Sequence, residues 1–429
     1  MAGRTGPAAV VLGYTTNALG VYRCLGRHGI PVIAVHADAR EPILASRYCR
    51  PAISPPAEDG EAYGRFLLAL AARRGDRPVL IPTDDVTTGF VSERRDVLAR
   101  AFRFVLPPAG VAESFLDKRA FFPLATAHGL PVPATMLVDG KTELEAIASQ
   151  VPFPAVVKPV RSPDWATPAA QAALGNRSSR PVKRLLVRSV EELQDALARA
   201  LPLGGEAIVQ HYLEGPDDHF HDAYLYMGQG GEVVGAFVSQ RLRTFPVDGA
   251  GLSASRVSVA VPELVETSAR FLRAIAYRGC VGISFKRDAR DGRFYAYEAN
   301  PRTMITNLHA AQCGVPLSLM AYCDALGGPI PAARPTRLGV RWIVLERDLR
   351  AALEYRRRGE LTIRGWLRSL AGPKVFGYWA WDDPRPALVR LLRTCAWWRR
   401  LDGRVARPVR RGLLALSHRL LRPPALAAR

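Results

Sequence analysis

The first hundred residues alternate between short apolar runs and segments with helical spacing. The apolar runs, each of a length typical of a buried strand, are Val10–Leu12, Ile30–Val35 and Val79–Pro82. Between them, Asn17–His28 and Glu61–Arg73 carry apolar residues at helical intervals, and Asn17 is predicted as the N-cap of the first helix. Strands that are joined through helices pair in parallel. This part of the chain therefore predicts an α/β domain built on a parallel sheet.

After Pro107-Pro108 the pattern changes to neighbouring strands that are joined by short turns. Two pairs of predicted strands share this arrangement: Phe220–Tyr226 with Val233–Arg241, and Gly282–Arg287 with Phe294–Glu298. Strands connected in this way pair antiparallel, so we expect an α+β organisation in the central part. The sequence therefore divides into three predicted parts, namely 1–106, 107–330 and 331–429.

The formal charge of +20 is concentrated towards the C-terminal end of the sequence. Residues 334–429 contain 23 basic and 7 acidic side chains, a net charge of +16. A segment charged in this way can meet nucleic acid, anionic lipid or an acidic partner. It carries no recognised nucleic-acid-binding module, so we expect no nucleic-acid partner. Only six of the 59 basic residues of the chain are lysine, which makes the lysine positions informative.

The six cysteines contain no Cys-x-x-Cys pair and have no nearby histidine at zinc-ligand spacing. Scattered thiols in a chain of 429 residues indicate a reducing compartment, and a catalytic cysteine is the alternative interpretation. The N-terminal apolar run, Ala8–Leu12, is too short for a signal peptide, and no segment approaches ~18 apolar residues. We therefore expect a cytoplasmic protein.

Two of the lysines occupy positions suited to phosphate binding. Lys158 closes the apolar strand Phe153–Pro159, and Lys118 lies at the start of a predicted helix. A lysine at the end of a buried strand needs a partner for its ammonium group, because burial of an unpaired charge is unfavourable. A phosphate group is one such partner. For either lysine alone, a solvated charge is the alternative.

Two later motifs supply the other parts of a nucleotide site. In Ile208–Asp217, backbone amides and Gln210 are suited to pair with adenine, and an acidic residue a few positions later is suited to the ribose hydroxyls. Near the end of the last predicted strand, Glu298 and Asn300 are two positions apart and are therefore expected to share one face. Two oxygen ligands followed by an arginine suit a site for magnesium, phosphate and carboxylate.

From Val10 to Gly328 the sequence resembles the ATP-grasp superfamily, specifically the branch of predicted carboxylate–amine ligases that also contains D-aspartate ligase-like proteins. The segment Glu298-Ala299-Asn300-Pro301-Arg302 matches the signature Glu-x-Asn-Pro-Arg. The resemblance implies an ATP-grasp fold, preceded by a Rossmann-like pre-ATP-grasp domain. The composition of residues 331–429 adds the prediction of a basic, helix-rich C-terminal extension. The resemblance also implies an ADP-forming ligase that uses ATP and one or two Mg²⁺ ions, with Mn²⁺ as an alternative. Such an enzyme converts a carboxylate into an acyl phosphate and transfers the acyl group to an amine.

The resemblance also implies roles for individual residues of the motifs. It places nucleotide-binding residues at Lys118 and Lys158 for the phosphates, at Gln210, His211, Tyr212 and Leu213 for adenine, and at Asp217 for the ribose. It places magnesium ligands at Glu298 and Asn300, and it places arginines that contact the acyl phosphate, the carboxylate or the ATP phosphates at Arg302, Arg241 and Arg243.

Two features of the sequence depart from the family pattern. An acidic metal ligand usually occupies the position of Ser284, so Ser284 is expected to ligate weakly or through water, and Asp288 is predicted to compensate as a metal ligand. The loop 161–181 corresponds to a lid over the phosphates. Such lids are often rich in glycine, because bare backbone amides approach anions closely. Gly175 is the only glycine in residues 161–181.

Alternatives stay open at the level of sequence. A dinucleotide-dependent oxidoreductase is disfavoured, because Gly13 and Gly20 do not form a Gly-x-Gly-x-x-Gly fingerprint. A non-catalytic nucleotide-binding protein on the same fold is the main alternative, and Ser284 is the reason for it. A nucleic-acid binder that acts through the basic tail is a third. Asp84 and Asp85 follow a strand and are candidates either for amine binding or for a helix N-cap and its neighbour.

From Val405 to Leu421 apolar residues recur at helical spacing, with arginines on the opposite side. This pattern predicts an amphipathic basic helix, which either docks on protein or contacts an anionic membrane surface peripherally. The predicted partners are a small carboxylate and a small amine whose identities the sequence does not specify. The oligomeric state is left open, with a dimer as one expectation.

Overall fold

The computed structural model describes residues 6–160, 162–176, 182–247, 251–334 and 336–401, which form two compact units. The first unit contains the described residues up to Leu106, Arg302–Leu345 and the described residues from Ala371 onward. The second unit contains Pro107–Pro301 and Glu346–Leu370. Each unit is therefore assembled from separate segments of the chain. The predicted division into 1–106, 107–330 and 331–429 stays a prediction.

Within the described residues the strands are, in chain order, β1 (Ala9–Leu12), β2 (Val32–His36), β3 (Arg50–Ile53), β4 (Val79–Pro82), β5 (Thr135–Asp139), β6 (Ala155–Pro159), β7 (Leu185–Val187), β8 (Glu206–His211), β9 (Phe220–Met227), β10 (Val233–Phe245), β11 (Leu252–Val259), β12 (Gly279–Arg287), β13 (Phe294–Asn300), β14 (Arg341–Ile343) and β15 (Lys374–Phe376). The helices are α1 (Thr15–Gly26), α2 (Gly60–Ala72), α3 (Asp85–Glu93), α4 (Arg95–Ala101), α5 (Val111–Leu116), α6 (Lys118–Ala127), α7 (Leu144–Gln150), α8 (Pro168–Ala173), α9 (Val190–Ala200), α10 (Pro262–Ala274), α11 (Asn307–Gln312), α12 (Leu317–Ala325), α13 (Leu345–Arg357), α14 (Ile363–Ser369) and α15 (Arg385–Leu401). Short 3₁₀ helices lie at Pro42–Ala45, Ser162–Trp165, Leu201–Leu203 and Asp217–His219.

A parallel sheet with the strand order β3-β2-β1-β4 forms the centre of the first unit. Alternate residues of β1 are buried on opposite faces of this sheet. Val11 clusters with Leu19 of α1, and Val10 clusters with Leu67 of α2. Both faces are apolar because helices connect the strands on both sides. The predicted parallel α/β domain is confirmed.

The structure corrects the predicted N-cap of the first helix. Helix α1 begins at Thr15, two residues before Asn17, and the Asn17 side chain is buried. Its amide nitrogen donates to the carbonyl oxygens of Thr83 at 2.5 Å and of Thr303 at 2.7 Å. The local pattern indicated a cap, but the actual partners lie far away in sequence, so only tertiary contacts reveal them.

The second unit contains two antiparallel sheets, each covered by helices. The larger sheet has the order β13-β12-β9-β10-β11 in this unit, and its apolar side packs against α5, α6 and α10. The smaller sheet has the order β5-β8-β6-β7 and packs against α7 and α9. The two predicted strand pairs are present as β9 with β10 and β12 with β13, and both are antiparallel. The predicted α+β organisation of the central part is confirmed.

The predicted amphipathic helix 405–421 lies outside the described residues. Among the helices between residues 6 and 401 that the structure describes, none combines the length and the apolar composition that a membrane-crossing segment needs. Peripheral membrane contact through 405–421 stays a prediction.

Five cysteines form no disulfide bond, namely Cys24, Cys49, Cys280, Cys313 and Cys323. Burial raises the pKa of the Cys24 thiol to about 12, and it also raises the pKa of Cys49 and Cys323. A thiol needs its thiolate form to act as a nucleophile. These three cysteines are therefore poor candidates for covalent catalysis.

A buried ion pair in the first unit joins α1 to the segment before α15. The Nε atom of Arg23 lies 3.0 Å from Oδ2 of Asp383, and both side chains are fully buried. Asp383 also accepts hydrogen bonds from the Ser46 hydroxyl at 2.7 Å and from the Arg47 backbone N–H at 2.9 Å. These hydrogen bonds offset part of the desolvation of the two charges.

We expect Asp383→Ala to lower the free energy of unfolding by about 3–5 kcal/mol, because the buried Arg23 guanidinium loses its counter-charge. Asp382→Ala is the matched control. The Asp382 carboxylate pairs with Arg27 at 2.8 Å, but both side chains are partly exposed, so the loss should not exceed about 1 kcal/mol. Urea unfolding curves measure both values. Equal losses in the two variants would contradict the importance of the buried pair.

Candidate active site

Lys158 lies near the end of β6 and is held by a residue of the neighbouring strand β8. Its Nζ donates to Oε1 of Gln210 at 2.7 Å, and the Gln210 amide nitrogen donates to the Thr135 hydroxyl at 2.8 Å. A neutral amide does not balance the charge of an ammonium group. Burial, with repulsion from Arg184 and Lys118, lowers the pKa of Lys158 to about 7. The group is therefore poised to gain a proton when an anion approaches.

Further cations lie in the same region of the second unit. The Nζ of Lys118 lies 3.4 Å from the carbonyl oxygen of Val160. Arg184 acts on both neighbouring lysines: burial and the charge of Arg184 lower the pKa of Lys286 to about 8, as they lower that of Lys158. The structure thus brings Lys118 and Lys158 together and adds Arg184 and Lys286 to them. The binding of ATP phosphates by the two predicted lysines stays a prediction.

Arg184 and Lys286 were missed for different reasons. The rarity of lysine in this chain was a usable signal for Lys286, which lies in β12 close to the serine that departs from the family pattern. No local signal distinguished Arg184 from the many other arginines. Its place at the site depends on the pairing of β7 with β6.

The predicted adenine hinge begins at the end of β8. The Tyr212 backbone N–H donates to the carbonyl oxygen of Pro154 at 2.8 Å, and the Leu213 carbonyl oxygen accepts from Nζ of Lys286 at 2.6 Å. Within the described residues the Leu213 backbone N–H has no hydrogen-bond partner. The Lys286 ammonium group also lies 5.0 Å from the centre of the Tyr212 ring. The hinge therefore offers an unused amide donor next to a cation.

The side chains of Gln210 and His211 have structural partners. Both ends of the Gln210 amide are engaged, as described above, and this side chain is buried. The His211 ring contacts the Pro152 carbonyl oxygen through Nδ1 at 2.8 Å and Arg290 through Nε2. We therefore revise the predicted pairing of the Gln210 side chain with adenine: this side chain positions Lys158.

Glu298 and Asn300 lie on β13, beside β12. Glu298 is exposed and Asn300 is buried. Ser284 is the partner of Glu298 in the β12–β13 ladder and the partner of Asp222 in the ladder with β9. Asp222 does not replace the missing acidic ligand, because its carboxylate lies 2.7 Å from the Arg256 guanidinium in a buried ion pair.

The donor set fits a magnesium ion that a nucleotide brings with it. Within the described residues no group of three histidine, cysteine, aspartate or glutamate side chains could hold a metal ion. Magnesium is usually bound by one or two protein oxygens together with phosphate oxygens and water. The carboxylate of Glu298 and the amide oxygen of Asn300 are ligands of this kind. The negative charge of Glu298 also favours the protonated form of Lys158 and so partly opposes the lowering of its pKa.

The position of Asp288 contradicts its predicted role beside Glu298. Asp288 accepts a hydrogen bond from Nε of Arg290 at 3.0 Å, and this guanidinium outweighs burial and lowers the pKa of Asp288. Four residues of extended chain separate Asp288 from Ser284, the ladder partner of Glu298, which corresponds to roughly 13 Å. The two carboxylates therefore do not share one ion.

Arg241 and Arg243 of β10 have different surroundings. Arg243 is buried, with Nε 2.7 Å from Oδ1 of Asp348 and Nη1 donating to the Ser369 hydroxyl at 2.7 Å. Arg241 is also buried, and its guanidinium carbon lies 4.1 Å from the centre of the Phe220 ring. Within the described residues, its Nε and Nη1 have no hydrogen-bond partner. The predicted contact of Arg243 with phosphates is contradicted, whereas Arg241 keeps donors for an anion.

Asp217 lies at the start of the short 3₁₀ helix after the hinge. Its Oδ2 accepts a hydrogen bond from the phenol of Tyr355. The negative charge of Asp217 favours the protonated form of Lys286, whose Nζ donates to the Leu213 carbonyl oxygen of the hinge. The predicted ribose ligand therefore lies close to the predicted adenine hinge.

Arg302 belongs to the first unit, where it pairs with Asp85. Its Nε lies 2.7 Å from Oδ1 of that carboxylate. The neighbouring Asp84 caps α3, because it accepts a hydrogen bond from the Thr87 backbone N–H at 2.8 Å. The N-cap interpretation of Asp84 is thus confirmed. The predicted contact of Arg302 with the carboxylate substrate stays a prediction.

The described part of the predicted lid is folded around one glutamine. The Gln171 side-chain nitrogen donates to the carbonyl oxygens of Trp165 at 2.6 Å and of Val182 at 3.0 Å, and its Oε1 accepts from the Val182 N–H at 2.6 Å. Residues 161 and 177–181 of this loop lie outside the described ranges. The covering of phosphates by this loop stays a prediction.

We expect tripolyphosphate to raise the thermal midpoint of the protein more at pH 7 than at pH 9. Lys158 pairs with phosphate only when it is protonated, and its pKa of about 7 leaves it increasingly neutral as the pH rises. Lys158→Met should reduce the shift of the thermal midpoint at pH 7. It should also remove most of the decrease in this shift between pH 7 and pH 9. Lys141→Met, which removes an exposed lysine, is the control. Calorimetric scans measure the shift, and the same shift in all three proteins would contradict the assignment.

No protein-family model and no curated protein sequence matches this chain. Solved structures do match it. N5-carboxyaminoimidazole synthetase from Staphylococcus aureus, complexed with ADP, has a TM-score of 0.59 and 12% identity, with 78% of this chain and 80% of that chain covered. The biotin carboxylase domain dimer of 2-oxoglutarate carboxylase from Hydrogenobacter thermophilus, in complex with MgADP, ADP and bicarbonate, has a TM-score of 0.57 and 17% identity, with 79% and 74% covered.

The L-amino acid ligase from Bacillus licheniformis has a TM-score of 0.54 and 14% identity, with 77% of this chain and 78% of that chain covered. At these identities the similarity is one of fold. The fold agrees with the one that the Glu-x-Asn-Pro-Arg segment and the lysine-ended strand predict. The chain therefore has the ATP-grasp fold.

Proposed function

We propose that this protein is an ADP-forming ATP-grasp ligase that joins a carboxylate to an amine. The observation that carries the proposal is the group of cations Lys118, Lys158 and Arg184 in the second unit, where Glu298 is the carboxylate that acts on Lys158. The partly buried ammonium groups of Lys118 and Lys158 donate to neutral oxygens, of Val160 and Gln210, which favours a polyanionic ligand. The unused Leu213 amide at the hinge gives that ligand a base-binding end.

In this proposal ATP lies between the two sheets of the second unit. Lys118, Lys158 and Arg184 bind the phosphates, and the Leu213 N–H donates to the adenine ring. Asp217 accepts a hydrogen bond from the ribose. Structures of similar fold were solved in complex with ADP or MgADP, which supports an adenine nucleotide as the ligand.

Glu298 and Asn300 are proposed to hold magnesium together with the phosphate oxygens. When it is bound, the ion would offset the negative charge of the transferring phosphate group. Arg241, with two nitrogen atoms that lack partners in the described residues, is proposed to donate to the phosphate or carboxylate oxygens. Asp288 and Arg243 are left out of the active set because the carboxylates of their ion pairs, Asp288 and Asp348, are buried, whereas the Asp85 carboxylate that pairs with Arg302 is exposed.

The proposed reaction has two steps. A carboxylate oxygen of the substrate attacks the γ-phosphorus of ATP, and the bond from that phosphorus to the β–γ bridging oxygen breaks, which releases ADP. The amine nitrogen then attacks the carbonyl carbon of the acyl phosphate. Phosphate leaves, and the nitrogen loses a proton. We propose that Arg302 binds the substrate carboxylate, and that Lys158 and Arg241 bind the oxygens of the γ-phosphate before and after transfer.

The second candidate is a nucleotide-binding protein without ligase activity. Ser284 favours it, because the hydroxyl is a weaker metal ligand than the carboxylate that related enzymes have at this position. Both candidates bind MgATP. Only the ligase releases ADP and phosphate in a substrate-dependent manner, so product release decides between them.

Cytoplasmic localisation and a dimeric state are further parts of the proposal. The Hydrogenobacter thermophilus domain was solved as a dimer, which supports testing the same state here by sedimentation. The carboxylate and the amine are proposed to be small molecules. Peripheral membrane contact through 405–421 is proposed as an addition to this function and not as a condition for it.

The proposed function is tested by a screen for ADP release with amino acids and small amines, in pairs, in the presence of MgATP. At least one pair should give substrate-dependent ADP release. Glu298→Gln should reduce that rate more than tenfold, a loss above about 1.4 kcal/mol of transition-state stabilisation, because the charge next to the ion is removed. Glu266→Gln, an exposed carboxylate of α10, is the control. Nucleotide binding without ADP release for any pair would support the second candidate.

We expect Lys158→Ala and Arg302→Ala to affect different substrates. Lys158→Ala should raise the KM for ATP, since Lys158 is proposed to bind phosphates. Arg302→Ala should raise the KM for the carboxylate and leave that for ATP within about twofold, because Arg302 is proposed to contact the other substrate. Steady-state titrations of each substrate measure the two effects. Equal effects of both variants on both substrates would show that the assigned division of roles is wrong.

A further inference from the structure

The segment Glu346–Leu370 follows the part of the chain that resembles the ATP-grasp superfamily, yet it belongs to the same compact unit as Pro107–Pro301. A buried ion pair attaches its first helix, α13. The Arg243 guanidinium lies 2.7 Å from Oδ1 of Asp348, and the Trp366 indole N–H donates to Oδ2 of the same carboxylate at 2.9 Å. These interactions connect α13 and α14 to the end of β10.

Tyr355 lies seven residues after Asp348 on α13. Two helical turns bring residues at this spacing to nearly the same face. Its half-buried phenol donates a hydrogen bond to Oδ2 of Asp217. Burial and the charge of Asp217 raise the pKa of Tyr355, so the phenol keeps the proton that it donates. The helix therefore presents a neutral donor to the carboxylate that is assigned to the ribose.

Asp217 has one oxygen engaged and one available. Within the described residues, Oδ2 is held by Tyr355, and Oδ1 has no hydrogen-bond partner. A carboxylate on a short turn can rotate about its side-chain bonds, and a hydrogen bond to one oxygen restricts that rotation. The direction of the second oxygen is then determined before a ligand arrives.

We propose that Tyr355 is a positioning residue for nucleotide recognition: it orients Asp217 so that the free oxygen accepts a hydrogen bond from a ribose hydroxyl. Helix α13 is thereby part of the nucleotide site. The inference rests on the proposed function, because it requires that ATP binds with its ribose at Asp217. Its consequence is selectivity for ribonucleotides over deoxyribonucleotides.

The test compares the binding of ATP, 2′-deoxy-ATP and 3′-deoxy-ATP, each with magnesium, by titration calorimetry of the full chain. Wild-type protein should prefer ATP over at least one analogue by about tenfold, as expected for a hydrogen bond to a charged group. Tyr355→Phe removes one oxygen atom and keeps the ring. It should reduce the preference to less than about threefold, mainly through weaker binding of ATP, while the analogue that lacks the contacting hydroxyl binds almost as before.

Tyr295→Phe is the matched control. Its phenol donates to Oδ2 of Asp291 at 2.7 Å on the β12–β13 turn, so the chemical change is the same at a different carboxylate, and the preference should stay unchanged. In an Asp217→Ala background, Tyr355→Phe should have no further effect on the preference. Thermal unfolding of each variant establishes that it is folded. Tyr355→Gln, which keeps a donor, is the second variant if the phenylalanine variant does not fold, and it should retain part of the preference.

The outcomes separate the two levels of the proposal. A wild-type protein that binds none of the three nucleotides overturns the proposed function. A wild-type protein that binds them without preference, or a Tyr355→Phe variant that keeps the full preference, overturns only the positioning role. Equal weakening for all three nucleotides also overturns it, because that result indicates general support of the fold and not orientation of Asp217.

Discussion

The ammonium group of Lys158 is the constraint on which the candidate site depends. It lies between β6 and β8, where its hydrogen-bond partner is the neutral Gln210, and other cations lie nearby. An ammonium group in such surroundings is either neutral or paired with an anion. The strands β6 and β8 are regular and mostly buried, so they hold the ammonium group in place. A polyanionic ligand would balance the charge of the ammonium group. The position of this group follows from the register of β6 against β8.

Ion pairing sorts the remaining cations into two classes. Arg243, Arg256 and Arg290 each have an aspartate partner within hydrogen-bond distance, so their charges serve the structure. Arg241 lies over the Phe220 ring, and Lys286 lies over the rings of Tyr212 and Phe220. Aromatic faces stabilise a cation and leave its N–H groups available. Arg241 and Arg243 lie two residues apart on β10, so a cation whose Nε and Nη1 lack partners within the described residues lies next to one that an ion pair holds.

The segment Glu346–Leu370 shows how a region beyond the recognised motifs becomes part of the site. Its attachment uses Asp348, which accepts from Arg243, and its contact with the nucleotide region uses Tyr355. Asp348 and Tyr355 lie on one face of a single helix. The ion pair that attaches the helix therefore also fixes the position of the phenol. The buried pair anchors the helix, because leaving either charge alone in the interior is strongly unfavourable. The phenol is thereby kept at a defined place near the hinge.

Inspection of the sequence was enough to predict the alternation of strand and helix, the two antiparallel strand pairs and the lysine-ended strand. Each of these depends on periodicity or on a short motif, and both are local properties. The sequence did not show which of the two arginines in Gln240–Arg243 is held in an ion pair. Simple alternation places Arg241 and Arg243 on one side, but the pairing with β11 shifts register between them, and a shift of this kind redirects side chains.

The partners of Arg243, Asp217 and Gln210 become visible only in the folded chain. Arg243 and Asp348 are 105 positions apart, Asp217 and Tyr355 are 138 apart, and Gln210 and Lys158 are 52 apart. Partners at such separations leave no periodic trace in the sequence. The motifs therefore indicated the kind of chemistry, while strand register and helix attachment decided which side chains are free to perform it. Whether a charged side chain is paired or available depends on its neighbours in space, and those neighbours come together only when the chain folds.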